Sequence, residues 1–173
     1  MRNRLKGNKL NNQGFSLLEL LIVIAIIAVF SVTTIFGISA ISKGNAKKMN
    51  KNLYSSLSEL KTSTMSKTGK WQIVIKKQDN DLLISVLRDS KEKETYKCSA
   101  SRVNLVYNDG TDHSIKDDEL VIEFSRDDGS VKSITYGGTD ISDKQHGKFI
   151  VTAAGRSYET ELWYKTGRVT TVN

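Results

Sequence analysis

The chain has 173 residues, a formal net charge of +7, one cysteine and no proline. That length allows one modest domain plus an accessory element, and the lone Cys98 excludes an internal disulfide framework. The charge is uneven, with Arg2, Arg4, Lys6 and Lys9 at the start, +8 in residues 41–77 and −7 in residues 78–143, so the basic total does not by itself argue for nucleic acid.

The first segment, residues 1–14, is a short basic leader that ends in Gly14. An apolar run begins at Phe15, and in residues 15–42 the only formally charged side chain is Glu19. A charge within a bilayer costs roughly 2.5–3.5 kcal/mol on insertion scales, so a chain that keeps one needs a compensating partner. The run is longer than the roughly 7–15 residues of a secretory signal core. It is long enough to span a bilayer, for which about 20 apolar residues suffice. The basic leader is expected to stay cytoplasmic and the rest to face outward.

Beyond the run, Ala46, Met49, Leu53, Leu57, Leu60 and Thr64 recur every three or four residues, with Lys47, Lys48, Lys51 and Lys61 between them. That spacing predicts an apolar stripe with a basic opposite face. The expectation is one helix over residues 15–67, roughly 80 Å at 1.5 Å per residue, stopping near Gly69. Its first half, residues 15–42, is apolar all round and needs lipid, as a transmembrane helix does, or other helices. Its second half, residues 43–68, is amphipathic and needs a sheet to lie on.

From Trp71 the period changes to two and β-branched residues dominate. Strands are expected over 71–76, 82–87, 96–100, 103–107, 119–125, 130–136, 148–153, 157–164 and 169–172. Tight turns are signalled by Asn108-Asp109-Gly110, Asp128-Gly129, Ala154-Gly155 and Thr166-Gly167. No segment alternates strand with helix, which argues against a parallel α/β fold. The predicted fold class is α+β: a long N-terminal α-helix packed against an antiparallel β-sheet domain, residues 69–173.

Little in the chain points to chemistry. His113 and His146 both stand in polar, turn-rich contexts and read as solvated loop residues. There is no HExxH, CxxC or glycine-rich phosphate loop. Asp109, Asp112, Asp117 and Asp118 make an acidic loop whose spacing is not that of an EF-hand, and Asp127-Asp128 reads as a hairpin turn. No metal, no cofactor and no enzymatic activity are expected. Cys98, in a strand-like run, reads as a small buried apolar residue.

The junction Gly14-Phe15-Ser-Leu-Leu-Glu19 and the apolar run after it resemble the type IV prepilin signal. The resemblance implies cleavage after Gly14 by a membrane prepilin peptidase and N-methylation of Phe15. It also implies pairing of the Glu19 carboxylate with the Phe15 amine of a neighbouring subunit during assembly. The implied partners are other pilin subunits, the peptidase, an assembly platform driven by a cytoplasmic ATPase, and the membrane before assembly. The implied destination is a cell-surface or extracellular filament. Many major pilins carry a helix-kinking proline and many a C-terminal disulfide loop; this chain has neither.

The order Leu120-Val-Ile-Glu-Phe124, Asp128-Gly129, Phe149-Ile-Val151, Thr160-Glu-Leu-Trp-Tyr164 and Thr166-Gly-Arg-Val169 is similar to GspH/FimT-type minor pilins and pseudopilins. This implies a minor subunit. It also raises an alternative, a DNA-binding minor pilin serving transformation, with Arg156, Lys165 and Arg168 as phosphate contacts; Arg168 is followed by Val-Thr-Thr rather than a second arginine.

Overall fold

A computed structural model describes residues 16–172, of which residues 32–36 only by their backbone. The chain divides into two compact units, Met1–Gly37 and Ile38–Asn173. One helix, α1, runs over Leu17–Ser66. Eleven strands follow: β1 Trp71–Gln78, β2 Asp81–Arg88, β3 Lys91–Ser99, β4 Asn104–Asn108, β5 Asp112–Ser114, β6 Leu120–Phe124, β7 Val131–Tyr136, β8 Thr139–Asp140, β9 His146–Ala153, β10 Arg156–Trp163 and β11 Arg168–Val172. All pairings are antiparallel. The α+β, pilin-like class expected from the sequence is the class observed.

The strands form two sheets where one was expected. The first has the order β3-β2-β1-β6-β7-β8 and the second β11-β10-β9-β4-β5. Tight turns join partners within a sheet, but the links β3–β4, β5–β6 and β8–β9 each cross to the other sheet. Turn chemistry in the sequence locates hairpins and says nothing of such crossings. Val131 N–H donates to the Tyr164 carbonyl at 2.7 Å, tying β7 to the end of β10.

In the second unit, α1 buries Ala46, Met49, Leu53, Leu57 and Leu60 in the same core as Ile73, Ile75 and Ile84 of the first sheet and Leu105, Phe149 and Leu162 of the second. Two polar side chains of the buried face find partners, whereas buried Ser56 Oγ has none among the described residues. Thr160 Oγ1 donates to Asn50 Oδ1 at 2.8 Å, and Thr64 Oγ1 donates back to the Leu60 carbonyl at 2.8 Å. The stripe ends where it was expected to, with Gly69 at φ 101° just beyond the helix.

Three expectations are corrected. Strand β3 starts at Lys91, not residue 96, because the polar run Lys91-Glu-Lys-Glu94 forms an exposed outer strand, with a bulge at Val86/Leu87 of its partner. The short strands β5 and β8 stand where loop was expected, the first containing His113. Cys98 is half-buried rather than buried; burial still pushes its thiol pKa up.

Two close approaches set the shape of the β domain. A Cβ at Gly167 (φ 56°) would collide with the Gly129 carbonyl oxygen, because the β10–β11 turn sits against the β6–β7 turn. The hydroxyls of Tyr107 and Tyr164 meet in the core, and burial raises both phenols, Tyr164 to about 12. Gly167→Ala is expected to cost about 3 kcal/mol through overpacking and left-handed strain. Gly155→Ala, at φ 74° but facing open space, should cost only about 1 kcal/mol; urea midpoints of the two variants check this. Stability is also expected to fall between pH of about 10 and 12. The unfolded chain releases its phenol protons near pH 10 while folded Tyr164 holds its own to about 12, so alkali favours unfolding. A Tyr164→Phe variant should show a shallower alkaline decline in thermal melts.

Candidate functional site

The first turn of α1 is closed by a reciprocal pair of hydrogen bonds. Ser16 N–H donates to Glu19 Oε2 at 2.9 Å, and Glu19 N–H donates to Ser16 Oγ at 3.2 Å. This is a capping box, in which a serine before the helix and a glutamate three residues on satisfy each other's free amides. The carboxylate also complements the positive end of the helix dipole. The signature Ser-x-x-Glu is present in the sequence, where it is masked by the more conspicuous charge of Glu19 in an apolar run. Glu19 is exposed, and its Oε1 has no hydrogen-bond partner among the described residues. Gly14 and Phe15, the expected processing residues, lie outside the described residues.

The cap opens onto a helix whose side chains are apolar on every side. Leu17 is 82% exposed and Phe30 68%, and the large hydrophobics between them are exposed as well. Leu21, Ile22, Ala25, Ile26, Val29 and Phe30 line one continuous apolar groove along the helix. Full burial of one such side chain is worth roughly 1.5–3 kcal/mol, so a run of them in water is strongly disfavoured without a cover. Among the described residues no helix is long and apolar enough to cross a membrane. The apolar stretch with described side chains stops at Ser31, short of the ~20 residues a span needs.

The other candidates fall elsewhere in the fold. Arg168 opens β11, and Lys165 lies in the turn just before it, both exposed. Arg156 lies at the opposite end of β10, opposite Ala153, so the structure brings two of the three basic residues to one turn and leaves the third roughly seven residues of strand away, about 23 Å at 3.3 Å per residue.

His113 is not the solvated loop residue expected. It lies in β5, packed 4.9 Å from the Tyr136 ring and 6.3 Å from the Tyr107 ring, centroid to centroid. Its Nε2 is 3.2 Å from Asp109 Oδ1, and the Asp109 side chain is only 4% exposed. Asp109 Oδ1 also accepts the Thr111 N–H, so this carboxylate organises the β4–β5 turn. His146 opens β9, also not in a loop; it is exposed and stacks on Trp163 at 5.0 Å. Among the described residues no three His, Cys, Asp or Glu side chains come together as a metal-binding group.

With this geometry in place, comparison with known families assigns residues 9–35 to the prokaryotic N-terminal methylation motif. The matched segment contains Gly14, Phe15 and the Ser16–Glu19 capping box, and it ends within the apolar part of α1. The chain therefore carries the type IV prepilin signal over a short N-terminal segment, and the match says nothing of residues 36–173. The likeness to GspH/FimT-type proteins in residues 120–172 has no counterpart in that match. No curated protein and no solved structure matches the chain.

Replacing Ser16 with Ala removes one half of the capping box and is expected to cost the helix about 1 kcal/mol at its first turn. Amide hydrogen exchange of residues 17–20 in detergent-solubilised protein should then rise several-fold, while exchange in the β domain stays unchanged.

Proposed function

We propose that the chain is a minor subunit, a minor pilin or pseudopilin, of a type IV pilus or related filament. The observation that carries this reading is the pairing of a processing motif at residues 9–35 with a helix surface whose large apolar side chains, among the described residues 17–29, are exposed on every side. Such a surface has two suitable environments, lipid before assembly and the equivalent helices of neighbouring subunits after it. In this reading residues 1–14 are the leader, 15–42 the membrane and filament-core segment, 43–68 the amphipathic continuation, and 69–173 the extracytoplasmic β domain. Cleavage follows Gly14, Phe15 becomes the methylated N-terminus, and the protein performs no catalysis of its own. The absence of proline from the helix favours a minor over a major subunit.

Glu19 then has two tasks, one for each carboxylate oxygen. Oε2 closes the helix cap. Oε1 is left for the Phe15 amine of an adjacent subunit, so that a charge which is costly in lipid gains a cation only in the correct register. Breaking a buried ion pair by removing one partner is costly, typically about 3–5 kcal/mol.

The two tasks separate experimentally. Glu19→Gln keeps an acceptor able to cap the helix but removes the charge. It is expected to preserve first-turn exchange protection while lowering recovery in sheared filaments by at least about tenfold, a loss of about 1.4 kcal/mol or more. Glu19→Ala should lose both. Full incorporation of Glu19→Gln would refute the pairing role. Mass spectrometry of sheared filaments tests the wider reading: methyl-Phe15 at a small ratio to another pilin is expected, and Met1 still attached would overturn it.

A further inference from the structure

The lysines of α1 and of the residue just after it fall into two groups with different surroundings. Near the helix end, Lys61 Nζ donates to the Thr166 carbonyl at 2.7 Å. Lys67 Nζ lies 5.3 Å from the centre of the Trp71 ring and donates to Ser63 Oγ. Lys43, Lys47, Lys48 and Lys51 are different. Three of them are exposed and Lys43 is half-exposed, and among the described residues none is held in an ion pair. The helix carries no acidic residue between Glu19 and Glu59. The lysines cannot turn inward, because the opposite face of the same turns, Ala46, Met49 and Leu53, is buried in the core.

Four unpaired ammonium groups within nine residues repel one another, and their place in the chain makes them stranger still. The uncharged run of α1 covers residues 20–42, twenty-three in all, against the ~20 that span a bilayer. Lys43 is the first charge after it. Four Lys/Arg therefore flank the run on its leader side and four on its far side, although positive residues are ordinarily concentrated on the cytoplasmic flank. A basic cluster kept on the outer flank, with no acidic residue beside it on the helix and no ion pair among the described residues, calls for an external anion at the depth where the apolar run ends.

We propose that Lys43, Lys47, Lys48 and Lys51 form a collar that binds the phosphate groups of anionic lipids on the outer face of the membrane while the subunit awaits assembly. This rests on the membrane-anchored reading of residues 15–42 given above. The lipid phosphate is favoured over an acidic protein surface because the lysines follow the apolar run directly, at Lys43, rather than lying out on the β domain. Clustered Lys and Arg beside a membrane segment attract anionic lipids within a Debye length of the surface.

The test uses the full chain reconstituted in vesicles of phosphatidylcholine, with or without phosphatidylglycerol. A membrane-impermeant amine reagent labels exposed lysines, which are read by mass spectrometry. Lys91 and Lys93, exposed at the outer strand β3, serve as internal references. Phosphatidylglycerol is expected to slow labelling of the four collar lysines at least about threefold relative to those references, and high salt should restore it. Equal labelling in both lipids overturns the proposal; if isolated filaments of another pilin then protect the same lysines, the anion is a protein surface instead. Alkaline carbonate extraction of the same vesicles provides a separate readout. A chain retained in the vesicles with reactive lysines defeats the lipid collar alone, whereas a chain that washes off defeats the anchoring reading and the collar together.

Discussion

The buried stripe of α1 from Ala46 to Leu60 is the interaction on which the β domain depends. The two sheets share the Val131–Tyr164 backbone hydrogen bond, and their inner apolar faces belong to one core cluster that includes the helix stripe. The cluster takes Ile73, Ile75 and Ile84 from one sheet and Leu105, Phe149 and Leu162 from the other. Large-to-small changes at such positions typically cost roughly 2–5 kcal/mol. The cost here would fall on the joining of two sheets as well as on the local cavity. Asn50 reinforces the arrangement with a directional link, since a hydrogen bond from Thr160 fixes the helix to β10 in one register.

Much of this was legible in the sequence, for reasons that differ along the chain. The helix was readable because its apolar positions keep one period to the end and a glycine with positive φ follows. The Ala154-Gly155 turn was readable from its glycine, which takes φ 74°, although Ala154 before it holds a φ of 46° that its Cβ disfavours. Asp89-Ser90 turns the chain in the same way, with φ 51° and 63°, without a glycine to announce it. Strand β3 hid in a charged run because an exposed outer strand has few apolar contacts to advertise. The second sheet was illegible for a deeper reason: alternation reveals that a strand has an inward face and is silent about which strand lies beside it.

The candidate site shows the opposite failure. Its motif was clear while its local geometry was missed, because one residue serves two levels of structure. Glu19 is at once an ordinary third-position capping residue and a carboxylate at the edge of an apolar run. Either reading accounts for a glutamate at that position. Only the division of its oxygens between a backbone amide and an open position allows both. His113 is a comparable case, since a turn-rich sequence context concealed an imidazole held between an almost wholly buried carboxylate and two tyrosine rings.

The end of α1 meets segments made much later in the chain. Lys61 reaches the carbonyl of Thr166, 105 residues on. A Cβ at Gly129 would lie 2.6 Å from Met65 Sδ, and Gly167 rests on Gly129 in turn. The helix end precedes by 105 residues the hairpin position that it meets. Contacts of such long sequence separation form slowly, and an incomplete domain leaves apolar surface open to aggregation in the interval. Docking of the β10–β11 turn against Gly129 and Lys61 is therefore a late, long-range step in the folding of this domain.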